Sequence, residues 1–263
     1  MLGYLFAIFR FILMRNWNLI FGIAIISSPI LFSMIAFPDS ITWSWNEGRG
    51  GYLFALIFVV AELVGLRIVI SKKRLLAVIP MALLVIGYLI SLEYGFRDYI
   101  IAYGESIDIP LIFSFTWMWD FIVMAIFILI ALTVFFGKRW IRIAPAAPIF
   151  LTGTAIILSL DAFFPYDTLG PLQYVVPYFV QANVWLVTVL DLGTAVARDN
   201  VMFLRGEHGS MALQVFWPSA GVHSIIIFSL VIGAFMLKMN IPRKRKVVYF
   251  VLGIIGTIIV NLI

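Results

Sequence analysis

Residues 110–136, PLIFSFTWMWDFIVMAIFILIALTVFF, hold a single charged side chain, Asp120, in an otherwise apolar and hydroxyl-bearing run. A helix crosses the hydrocarbon core of a bilayer with about 20 residues, so this run is long enough to span. Its apolar positions are continuous rather than alternating, which favours a helix over a barrel strand. Lipid offers the backbone no hydrogen bonds, and a helix satisfies its own. Similar blocks recur at about 18–37, 51–70, 75–95, 143–164, 221–238 and 247–263. The expected fold is therefore all-α and polytopic, with about seven transmembrane helices in one integral membrane domain over 1–263.

Composition agrees. The 263 residues are 63% hydrophobic and 12% charged, with a mean hydropathy of +1.10. Soluble domains are nearer half apolar and a quarter charged. The net charge of +5 has a topological origin rather than a nucleic-acid partner. Arg10 and Arg15, then Lys72, Lys73 and Arg74, then Lys138, Arg139 and Arg142, then Lys238 and Arg243–Lys246 all fall in alternate gaps between blocks. Those gaps carry no Asp or Glu. The positive-inside rule then places the N-terminus inside, with Arg49, Arg97, Arg198 and Arg205 outside and Arg67 within a span. The Arg243–Lys246 run also attracts anionic lipid. No small-residue cleavage site follows Arg10 and Arg15, so the start reads as an uncleaved anchor or interfacial lead-in. The chain has no cysteine, which excludes disulfides, thiolate metal sites and a thiol nucleophile.

The stretch 165–220 interrupts the alternation. Residues 172–192 are apolar enough to span, but a crossing there would put Arg243–Lys246 outside. An outer-face or re-entrant helix satisfies the charges better. Two β-prone runs around a Gly-rich centre at Gly206–Ser210 predict a hairpin. The hairpin leads into Trp217-Pro218-Ser219-Ala220-Gly221-Val222-His223-Ser224. Pro218 suits the first turn of a helix. Ser219 then stands at a helix N-terminus, where free N–H groups favour developing negative charge. Ala220 and Gly221 leave room for a substrate backbone. His223, four residues on, shares a helical face with Ser219 and is a candidate base. The plainer reading is a tightly packed helix start with a satisfied histidine, and residue types alone favour it.

The hairpin, the small-residue segment Ser219-Ala220-Gly221, the apolar span, the basic loop and the Gly253-x-x-Gly256-Thr-Ile-Ile-Val-Asn261 span together resemble the exosortase/archaeosortase family. The layout resembles that family over most of the chain, and the motif match is concentrated in about 201–261. The resemblance implies processing of C-terminal sorting signals of exported surface proteins, by peptide cleavage and transpeptidation at the outer face of a prokaryotic, in one reading archaeal, cytoplasmic membrane. It implies Ser219 in the place of the family cysteine. Ser219 with His223 is the candidate catalytic pair, and Trp217, Ala220, Gly221 and Asn261 are candidate substrate contacts. The family arginine is expected just beyond Ile263, and its histidine in a further span. His223 and His208 do not occupy that histidine's place. A serine-dependent enzyme, an incomplete form and a relative without the chemistry all stay open. The expected partners are a sorting signal, membrane lipid and possible membrane-complex subunits.

Other charges lie within the blocks. Glu62 and Arg67 fall in the second, Asp120 in the fourth, and Asp161 near an outer edge. Such groups face protein or water. They mark a polar pocket or ion path, or else structural pairing between spans, which is favoured for Glu62 and Arg67. His208 reads as a solvated turn, since no metal-ligand spacing surrounds it. No Walker loop, dinucleotide fingerprint or G-x-S-x-G elbow occurs, so no cofactor is expected. Two further functions remain: a non-catalytic scaffold or subunit of a membrane complex, and a small transporter built on Glu62, Arg67 and Asp120.

Overall fold

The structure, a computed structural model, describes residues 17–42, 48–66, 68–164, 173–206, 209–217, 220 and 222–262. Its helices are α1 (Trp17–Ala36), α2 (Pro38–Thr42), α3 (Gly51–Leu63), α4 (Lys72–Ser91), α5 (Arg97–Ser106), α6 (Ile112–Phe136), α7 (Trp140–Ile143), α8 (Ala146–Phe163), α9 (Val176–Val189), α10 (Val222–Lys238) and α11 (Arg243–Leu262). Strands β1 (Thr194–Arg198), β2 (Val201–Gly206) and β3 (Gly209–Gln214) lie between α9 and α10. Four helical stretches among the described residues are long and apolar enough to cross a membrane: Trp17–Ala36, Lys72–Ser106, Ile112–Ile143 and Ala146–Phe163. The chain divides into two compact units, Met1–Ser159 with Leu237–Met239, and Leu160–Met236 with Asn240–Ile263.

In the first unit α1 packs against α3 and α4, and α4 packs against α6. Two prolines sit inside these helices, Pro29 in α1 and Pro80 in α4. A helical proline leaves the carbonyl four residues back without its usual donor. For Pro29 that carbonyl belongs to Ile25, and Ser28 Oγ donates to it at 2.8 Å. The neighbouring hydroxyl thus satisfies a group that lipid could not.

The second expected span is shorter than the apolar block. α3 stops at Leu63 because Val64 is extended and Gly65 takes a φ of +86°. A left-handed φ suits glycine and ends the helical ladder. The third runs further than expected. After α4 the chain makes a π-type turn over Leu92–Phe96, with Gly95 at φ +98°, and continues as α5. Arg97 opens α5 as a result of that kink.

In the second unit the apolar run within 172–192 forms α9, only 14 residues long. Val176 and Val180 are buried, and most of its other residues are half-buried. The expected hairpin is β2–β3, closing at Gly206↔Gly209. The sequence reading missed β1. It pairs antiparallel with β2, in a register that includes Val196↔Phe203. The connection is the two-residue turn Asp199-Asn200, where Asp199 takes φ +52°. Aspartate tolerates that conformation in a tight hairpin turn. The result is a three-stranded meander in the order β1-β2-β3. Also in this unit, Gly253 of α11 lies against Phe228 of α10; a Cβ there would overlap the Phe228 ring at Cζ.

Candidate functional site

Ser219 and Gly221 lie outside the described residues, as do Arg67, Glu207 and His208. His223 and Asn261 fall in α10 and α11, and their side chains lie outside the description. The segment around them is anchored on its N-terminal side. The Trp217 N–H donates to Gln173 Oε1 at 3.0 Å, and Gln173 Nε2 donates to Val215 O at 3.3 Å. One buried glutamine thereby holds the chain as it leaves β3. The Ala220 N–H donates to Phe216 O at 2.9 Å, shortly before α10 begins. Trp217 and Ala220 are both buried. Of the candidate substrate contacts, these two are therefore packed within the protein in this conformation.

The most elaborate polar arrangement forms around Asp120, in the first unit. Asp120 lies two turns inside α6 and is fully buried. Arg49 Nε donates to its Oδ2 at 2.8 Å, and Arg97 Nη2 donates to the same oxygen at 3.0 Å. Tyr88 of α4 donates its hydroxyl to Oδ1 at 3.2 Å. Tyr52 of α3 donates to the Asp120 backbone carbonyl at 2.8 Å. Arg49 Nη1 also donates to Ser40 Oγ at 3.3 Å. Both guanidinium groups lie against aromatic faces. Arg97 is 4.2 Å from the Trp117 ring centre, and Arg49 is 5.2 Å from Phe37 and 5.5 Å from Trp117. Ring faces carry partial negative charge and favour such cations.

Local structure explains each placement. Arg49 lies two residues before α3, and its N–H donates to the carbonyl of Ser40 in α2 at 2.7 Å, which fixes its backbone. Arg97 arrives through the π-type turn. Trp117 is three residues before Asp120 on α6, one helical turn away on the same side. Two arginines facing one aspartate leave the centre one positive charge in excess. Buried charges persist where they are paired and hydrogen-bonded.

Sequence reasoning singled out Asp120 but not Arg49, Arg97, Tyr52 or Tyr88. Arg49 reads as an outer-face arginine, whereas its side chain is only 1% exposed. A signal was present: a carboxylate inside an apolar span requires a cation, and the arginines flanking neighbouring spans are the available ones.

Glu62 is a simpler case. Its Oε1 pairs with Lys238 Nζ at 3.1 Å, and its Oε2 accepts the Ala146 N–H at 2.9 Å. It therefore satisfies a free N–H at the start of α8, where the helix dipole favours an anion. This is the structural pairing expected of Glu62, with Lys238 as the partner found. Asp161 is buried in α8. Among the described residues, no group of three His, Cys, Asp or Glu side chains could hold a metal ion.

Comparison with protein families, with curated proteins and with solved structures returns no match.

Proposed function

We propose that this chain is a multi-spanning membrane protein of the exosortase/archaeosortase type that processes C-terminal sorting signals at the outer membrane face. The observation that carries the reading beyond sequence is the exposed edge strand β3. All six of its residues are exposed, and it leads within three residues to Trp217 and then to the start of α10. An open strand edge accepts an extended peptide by main-chain pairing. A substrate held there would lie along the chain just before Ser219.

In this reading seven spans cross the membrane with the N-terminus inside, and α9 and the sheet belong to the outer face. Ser219 Oγ attacks the scissile carbonyl carbon. His223, four residues on, takes the hydroxyl proton. The peptide C–N bond then breaks, the proton passes to the leaving amine, and an acyl ester forms on Ser219. An acceptor amine or hydroxyl then displaces Ser219 from the acyl group, and the proton returns to its Oγ.

The test is co-expression with a tailed surface protein, following its C-terminus by mass spectrometry. Loss of the tail with the native chain and its retention with Ser219→Ala supports the proposal. Equal processing by both removes Ser219 from catalysis. A stable co-purifying partner with no processing points instead to the scaffold reading.

A further inference from the structure

The Asp120 centre is not used by that chemistry, and its donors are not all occupied. Among the described residues, Arg49 Nη2 and Arg97 Nη1 are buried without a hydrogen-bond partner. The Arg49 side chain is 99% buried, and Asp120 entirely so. Leaving a charged donor unpaired away from water is costly. The same two guanidinium groups carry the centre's excess positive charge. A monoanionic oxyanion would meet both deficits, accepting the free N–H groups and neutralising the charge.

The surroundings narrow the class. Tyr88, whose hydroxyl bonds Asp120, also forms part of the wall of a groove of about 780 Å³. Pro80, Leu83, Leu84 and Phe96 line the same groove. It runs along α4, within a helical stretch long and apolar enough to cross a membrane. Leu83 and Leu84 are exposed there. For an exposed apolar groove on such a helix, hydrocarbon chain is the matching occupant.

We propose that the Arg49–Asp120–Arg97 centre binds the phosphodiester of an anionic membrane lipid, with the lipid's chains along the α4 groove. A phosphodiester carries one negative charge, and its oxygens accept guanidinium N–H donors. Arginine is suited to this because its fork of N–H groups matches phosphate geometry. Asp120 holds the two guanidinium groups together and cancels one of their charges, so that a single anion completes the site.

The test uses the full chain in an uncharged detergent, with thermal unfolding as readout. Phosphatidylglycerol should raise Tm by about 5 °C at saturating lipid. Diacylglycerol with the same chains, and inorganic phosphate alone, should leave it unchanged. Arg97→Gln leaves the neutral Arg49–Asp120 pair in place and should abolish the phosphatidylglycerol shift. No shift with the native chain overturns the proposal, and so does an equal rise with inorganic phosphate, which would make this a free-anion site. An equal rise with diacylglycerol would remove the headgroup from recognition. Glu47 stands two residues before Arg49, outside the described residues. A shift appearing only in Glu47→Gln would assign the free donors to Glu47 and overturn the proposal as well.

Discussion

The Asp120 centre and the β3 edge place polar groups in opposite circumstances. Around Asp120 of α6, Tyr88 of α4, Arg97 of α5 and Arg49 from the turn before α3 converge on one buried carboxylate, and Tyr52 of α3 bonds the backbone carbonyl of the same residue. Along β3, six consecutive residues are exposed, and the strand's outer edge has no described neighbouring strand. In the first region each group is fixed by several others, so a single change leaves others unpaired. In the second the backbone is available and few side chains depend on it. Substitutions at the centre should therefore register as lost stability, and substitutions at the edge as lost recognition.

The largest effect is expected at Asp120. Asp120→Asn is nearly isosteric, but it leaves two arginines facing one another with no counter-charge. Removing one partner of a buried ion pair costs about 3–5 kcal/mol. A large fall in the thermal midpoint of the detergent-solubilised chain is the expected result. A melting curve within error of the native one would show that water reaches the arginines freely, and would break the contrast between the two regions.

The second unit is not tolerant throughout, and Gly253 sharpens the comparison. A methyl group at this position would overlap the Phe228 ring. Overpacking of this kind costs about 1–3 kcal/mol. Gly253→Ala should lower the midpoint, and Phe228→Ala in the same chain should recover part of the loss. Independent, additive losses would show that the two residues do not touch.

These residues also show how far the sequence can be read. The apolar blocks gave the longer helices to within a few residues, because hydrophobic length is a strong local signal. The end of α3 at Gly65 was harder to see. The block continues through Leu66, Ile68, Val69 and Ile70, and only the backbone angle breaks the helix. The β2–β3 hairpin was legible from its Gly-rich turn. β1 was not, because Asp199-Asn200 is a weaker turn signal than a glycine pair and Thr194–Arg198 is short. Asp120 was visible as a charge in an apolar run. Its partners come from 71 and 23 positions away in sequence, and that pairing is decided by tertiary packing. The segment 217–224 was the most suggestive to read. What the structure adds there is the Gln173 anchor at Trp217, from 44 residues away.

Glu62 offers an intermediate case. Glu62→Gln keeps an oxygen for the Ala146 N–H but loses the attraction to Lys238. Lys238 is 28% exposed and can turn to water, so no charge is stranded. The expected cost is about 1.5 kcal/mol, that of one charge-assisted hydrogen bond. A loss as large as that of Asp120→Asn would show that burial of the carboxylate, rather than the number of partners left unpaired, sets the penalty.

The smallest effect on stability is expected at β3, where the functional effect should be clear. Met211 is 54% exposed, and Met211→Lys should change stability by no more than about 0.5 kcal/mol. Lysine on an edge strand discourages the approach of another strand. If an extended substrate pairs there, processing should slow by about tenfold, corresponding to roughly 1.4 kcal/mol of lost binding. Thermal melting and tail release, measured on the same preparation, separate the two effects. Unchanged melting with slowed release assigns β3 to recognition. Unchanged melting with unchanged release would mean that the substrate reaches Ser219 by another route, and the open edge would then carry no part of the proposed function.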